Sequence, residues 1–337
     1  MRLYQHSNFG NEGVRWTAVT ICHIISYIGG GDEVSFADYQ TPEKRVKQTG
    51  FRKTQLVCQK AREDHLEWAW IDTCCIDKSN SAELSEAINS MFKWYEGSAV
   101  CYANLNEWPR ESETKDSNKA LSEIFFRDYR WFSRGWTLQE LIAPRNLRFY
   151  IDESSLGLHS PMYQSGWFLL GDKSQLSSIF EEVTRIPQPV LCYRCFGSYG
   201  IVKRMSWTAG RKTTREEDIA YCLMGLFDIN MPMLYGEGKK VFIRLQEEIL
   251  KQHDDRSLFS WKASKADNEP LRGILARSAD EFAESSSIVP LSGHEASDFP
   301  ATLTSKGISL TGFDRHVYHI VDPYYTGKNE SKFILQP

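Results

Sequence analysis

Asp72 and Asp77 flank Thr-Cys-Cys-Ile in the stretch WAWIDTCCIDK, and among the carboxylates of this 337-residue chain their placement first suggests chemistry. Ligands of α/β sheets sit at the carboxyl ends of the strands, so a carboxylate closing a buried strand is a candidate binding group. The other reading for both is a turn or capping aspartate for the loop that follows. Cys74 and Cys75 invite a nucleophile reading, but a thiol needs an activating base and no histidine lies in the motif, so core packing is favoured. Arg134, Trp136 and Trp131 in RWFSRGWTLQEL could stack on or pair with a nucleotide. Packing of a helix is the plainer reading for all three. Glu140 closes the same run one turn before Pro144, where a helix must stop, and by position alone it is a solvated helix residue. Cys192 and Cys195 form one CxxC in LCYRCFG; with no second pair and no histidine pair nearby they read as free thiols, and no metal is expected.

The elements that would carry these residues alternate. A helix is expected over 53–65, with Leu56, Val57, Cys58 and Ala61 as its apolar positions. Residues 68–76 form an apolar run broken only by Asp72, which suits a strand buried on both faces. Over 83–97, Leu84, Ile88, Met91, Phe92 and Tyr95 recur at helical spacing, and Asn80 three places before Glu83 reads as a capping box. A strand over 99–105, a polar loop over 106–119, helices over 121–126 and 135–143, and a strand over 147–151 complete the series. Strands alternating with helices predict a parallel sheet covered on both faces. Beyond it, helices are expected over 172–184, 216–227 and 238–251; past Asp254 short segments punctuated by Ser, Pro and Gly predict a small β-rich appendage. The expected division is residues 1–253, with a helical extension, and residues 254–337.

Composition narrows the function classes. With 41% hydrophobic and 25% charged residues the chain has the apolar material of a globular core. A formal charge of −4 supplies no electrostatic reason to expect nucleic acid as a partner. No apolar run approaches the roughly 18 residues of a membrane span, and the start, MRLYQHSNFG, has no basic segment leading into an apolar one. The expectation is a cytoplasmic protein whose cysteines are reduced. There is no GxxxxGK[ST] nucleotide loop; GEGKK at 236–240 is too short.

Three blocks, residues 50–105 with WIDTCCIDK, residues 130–150 with GWTLQEL, and residues 205–250, together closely resemble the fungal heterokaryon incompatibility (HET) domain. The tail, with DDRSLFSW and TSKGISLTGF, looks like the start of the β-rich domain that often follows it. The resemblance implies a TIR-like, flavodoxin-like α/β fold and a part in vegetative incompatibility, a form of fungal innate immunity. In that role the domain triggers programmed cell death by self-association after a non-self sensor protein engages. With no nucleotide loop and no repeat array, the chain would be an effector without its own sensor. SRGWTLQEL is also similar to the TIR segment whose glutamate is catalytic in NAD-cleaving enzymes, which makes Glu140 the candidate catalytic residue and NAD the candidate substrate, with Asp72, Asp77, Arg134 and Trp136 as candidate binding residues. Cleavage of the nicotinamide–ribose bond builds positive charge on the sugar, which a carboxylate beneath the anomeric carbon would stabilise. Two stretches depart from the family pattern. Residues 11–31 carry Tyr27 where a histidine is expected, with no tryptophan following, and 154–173 is longer than the expected connection; a misread exon or an inactive, degraded copy are the alternatives they raise.

Overall fold

The computed structural model describes residues 33–47, 50–105, 126–127, 129–152, 167–253, 255–263 and 273–289, with isolated strands elsewhere. The chain divides into two units, Met1–Arg194 and Cys195–Pro337.

The first unit is built on a six-stranded sheet of order β1-β3-β2-β4-β5-β6, comprising β1 (Tyr4–Gln5), β2 (Ile21–Ser26), β3 (Trp68–Ile71), β4 (Val100–Asn104), β5 (Leu147–Asp152) and β6 (Trp167–Asp172). The inner four are parallel, as the alternation predicts. The expectation of a purely parallel sheet is corrected at both edges, where β1 and β6 pair antiparallel. β6 lies inside the overlong 154–173 stretch, and an antiparallel return needs no crossover helix, which is why alternation did not disclose it. Its Phe168 and Leu169 are both exposed, so the period-2 signal of a half-buried strand is missing.

Helices α1 (Phe51–Glu63), α2 (Ser81–Gly97), α3 (Thr137–Ile142) and α4 (Ser177–Thr184) belong to this unit. Lys53, Val57 and Ala61 recur every fourth residue on α1 and are all buried. On α2, Ile88, Met91 and Phe92 are buried as expected, and so are Ile71 and Cys74. The Asn80 side chain accepts hydrogen bonds from the Ala82 and Glu83 amides, while the Glu83 carboxylate accepts from the Asp77 amide. The start of α2 is therefore tied to the preceding turn.

The strand expected over 68–76 is shorter than predicted. It ends at Ile71, and Asp72–Cys75 form one helical turn. An apolar run cannot by itself separate strand from buried helix; here the turn closes on itself, the Ile71 amide donating to Cys75 Sγ at 3.2 Å. The helix predicted over 172–184 begins only at Ser177, because Asp172 ends β6. The expected loop over 106–119 lies outside the described residues, as does the helix over 121–126 apart from Phe126, and as does Tyr27.

In the second unit the helix expected over 216–227 is two short helices, Asp218–Tyr221 and Met224–Phe227. The amphipathic helix over 238–251 is present as Lys240–Gln252, burying Val241, Phe242, Leu245, Ile249 and Leu250. Two 3-10 helices, Arg256–Phe259 and Ala279–Ser287, and several short strands follow it, among them the antiparallel pair Thr302–Thr304 and Gly307–Ser309.

Candidate functional site

Helix α3 is pinned from both ends. Before it, Trp131 and Phe132 pack edge-on at 4.9 Å between ring centroids, and Phe149 and Phe180 close the cluster at 4.7 Å. Trp131 thereby takes its packing role. Thr137 Oγ1 lies 2.9 Å from the Arg134 carbonyl, holding the first turn. At the far end Lys173, 2% exposed, donates from Nζ to the carbonyls of Leu141 at 3.0 Å and Pro144 at 2.5 Å. A helix leaves its last carbonyls without intrahelical donors, and a buried ammonium supplies them here. Burial pushes that ammonium down to about 8.

On α3, so held, every residue from Thr137 to Ile142 is buried except Glu140. As a residue it is half-buried, yet Oε2 is shut off from solvent with no hydrogen-bond partner among the described residues. Oε1 accepts from the Tyr95 hydroxyl at 3.3 Å. Burial pushes the Glu140 carboxyl up to about 8, and the negative charge of Asp72 adds to the rise. Arg134, Tyr95 and Lys53 pull the other way and lose. Burial also raises the Tyr95 phenol well above its ordinary value, with the charges of Glu140 and Asp72 adding to it.

The members of this cluster come from several elements. Asp72 directly follows the last residue of β3 and is half-buried. Lys53 sits in the first turn of α1, buried and paired with Glu33 at 3.6 Å. Arg134 and Trp136, both half-buried, immediately precede α3, and Trp136 stands one turn before Glu140. Asp77 is placed differently: its Oδ1 accepts from the Ser79 amide at 3.0 Å and the Ser79 hydroxyl at 2.6 Å, in the turn that leads into α2. Sequence reasoning missed Tyr95, Lys53 and Lys173. A lysine heading the buried every-fourth stripe of α1 was the one available signal.

Cys74 and Cys75 are buried, and burial holds the Cys75 thiol well above its ordinary range, so neither is a ready nucleophile. Cys192 and Cys195 are free. Among the described residues no group of three or more His, Cys, Asp or Glu side chains is placed to hold a metal ion, and no helix is long and apolar enough to cross a membrane.

Chemically, the arrangement offers a shielded carboxyl that stays protonated at neutral pH until a positive charge arrives beside it. An approaching cation would lower its pKa and turn it into a carboxylate facing that cation.

No solved structure matches the chain. Residues 240–303 match a domain of unknown function, DUF8212. Over 231 residues the chain is 40% identical to the vegetative incompatibility protein HET-E-1 of Podospora anserina, an alignment covering 68% of this chain and 16% of that protein. The chain thus matches about a sixth of its relative's length. Residues 23–123 match the heterokaryon incompatibility protein (HET) family. The WIDTCCIDK block that carried the resemblance lies inside that match, and the chain belongs to the HET family.

Proposed function

We propose that this chain acts in vegetative incompatibility as a cytoplasmic effector that triggers cell death when a non-self sensor engages it, through self-association of a TIR-like domain. Kinship with the Podospora incompatibility protein is the observation that carries the role. The strand order of the parallel part, β3-β2-β4-β5, is the flavodoxin-like order and supports the TIR-like reading.

A second, enzymatic reading is favoured by the environment of Glu140. In it the domain hydrolyses NAD. The bond between C1′ of the ribose and the nicotinamide nitrogen breaks, its electron pair neutralises the pyridinium, and water adds to C1′ and releases a proton. The positive charge of the bound pyridinium lowers the Glu140 pKa so that its proton passes to solvent, and the resulting carboxylate stabilises the oxocarbenium-like sugar. Trp136 stacks on the substrate, Arg134 takes a phosphate and Asp72 keeps the apo carboxyl protonated. Asp77 shapes the turn beside them.

Inducible expression in a fungal host, scored for survival alongside release of nicotinamide from NAD by purified protein, tests both readings. Toxicity and nicotinamide release that both vanish in Glu140→Ala support the enzyme. Toxicity without release leaves self-association as the mechanism, and it should then track oligomer formation. Neither toxicity nor release would identify an inactive copy and overturn the proposal.

A further inference from the structure

The chain steps outward from β2 to β3 and then returns past β2 to β4. In open α/β sheets such a reversal leaves a crevice between the carboxyl ends of the two strands, and ligands enter there. Ser26 and Asn104, the last residues of β2 and β4, are register partners at that place. Asn104 is 2% exposed, and among the described residues neither its Nδ2 nor its Oδ1 has a hydrogen-bond partner. A primary amide carries two donors and an acceptor oxygen, and folded proteins rarely leave such a group buried and unpaired.

The alternation of β4 decides which side the amide occupies. Tyr102, two residues earlier, sends its hydroxyl to the Lys60 carbonyl at 3.3 Å and to the Asp64 carboxylate, so Tyr102 and Asn104 share the α1 face. Cys101 belongs to the other face, where its thiol feels the charges of Lys173 and Glu140. Asn104 and Glu140 thus stand on opposite faces of the sheet. A ligand touching both must be long and two-ended, as a dinucleotide lying across such a crevice is. The adjacent donor and acceptor of an asparagine amide match N7 and N6 of adenine, a bidentate pairing.

We propose that Asn104 reads the adenine edge of a dinucleotide whose other end lies at Glu140, an inference that rests on the NAD reading above. The amide is then unpaired only in the ligand-free protein.

Calorimetric binding of uncleavable probes to the full chain tests this: ADP-ribose, its hypoxanthine counterpart inosine diphosphate ribose, and nicotinamide mononucleotide. The unmodified chain should prefer ADP-ribose to the hypoxanthine probe by about tenfold or more. Asn104→Leu should lose that preference, keep its affinity for nicotinamide mononucleotide, and melt at or above the temperature of the parent, because a lone buried amide has been removed. A parent that does not distinguish the two bases overturns the inference. So does a variant that melts about 5 °C lower with ADP-ribose binding intact, since the amide is then structural. Loss of nicotinamide mononucleotide binding alone would assign Asn104 to the carboxamide instead and equally refute the adenine assignment. Nicotinamide release by the parent separates the two layers: release without base discrimination sinks only the role of Asn104, whereas base discrimination without release sinks only the hydrolysis.

Discussion

Glu140→Gln should stabilise the protein at neutral pH, and the gain should grow with pH. The glutamine keeps the shape and can still accept from Tyr95, but it cannot ionise. Burial, with Asp72 beside it, pushes the carboxyl from an ordinary 4.5 up to about 8. Between these values the folded chain holds a proton that the unfolded chain has released, so stability falls as pH rises through that window. The slope is about 1.4 kcal/mol per pH unit, which amounts to about 3 kcal/mol by pH 7 and about 4–5 kcal/mol once the group is ionised in both states. Urea unfolding of parent and variant at pH 5, 6, 7 and 8 measures the difference, in which all other titrations cancel. The curves should nearly coincide at pH 5 and diverge steadily above it, with the variant the more stable. Asp72→Asn should narrow the gap, because it removes the second cause of the rise. A constant difference from pH 5 to 8, or a variant less stable than its parent at pH 8, would refute both the burial of this carboxyl and the role of Asp72.

Three further outcomes are expected. Phe92→Ala should cost about 3–5 kcal/mol, since the ring is buried under α2, and a loss under about 1 kcal/mol in urea unfolding would mean that the wrong face of α2 is packed. Lys173→Met should cost about 2–4 kcal/mol by leaving the Leu141 and Pro144 carbonyls without their donor, with faster amide exchange confined to α3; unchanged exchange there would remove Lys173 from the positioning of Glu140. Tyr27→His combined with Gly29→Trp should raise toxicity in the expression assay if the departure at the end of β2 weakens the domain, and equal toxicity would make that departure neutral.

How much of this was legible in the sequence follows from the range of each interaction. The helix carrying Ile88, Met91 and Phe92, and the parallel strands at 99–105 and 147–151, announce themselves through periodicities of a few residues. Pro144 and Asn80 mark their ends by local chemistry. β6 escaped because an exposed edge carries no alternation, and the end of β3 escaped because a short apolar run does not by itself separate a strand from a buried helical turn. Of the candidate site, Glu140 was reached through resemblance, not through any spacing. Its partners are far away in sequence: Tyr95 lies 45 residues earlier, and the charge that adds to the effect of burial on its pKa comes from another strand's end. Such a coincidence of side chains is a property of the fold alone.

The shortened β3 ties these observations together. Had the strand continued through Cys75, period-2 alternation would have carried Asp72 into the sheet, where an ionised carboxylate is costly to bury. Ending the strand at Ile71 and coiling the next four residues sets Asp72 at the sheet's carboxyl edge, half-buried and close enough for its charge to reach Glu140 and Tyr95. The same turn buries Cys74 and Cys75, so the apolar residues that make the run look like a strand are the ones that anchor the turn. The break in the predicted strand therefore supplies the second cause of the raised pKa of Glu140, after its burial, and a change that straightened this turn would be expected to lower that pKa only in part.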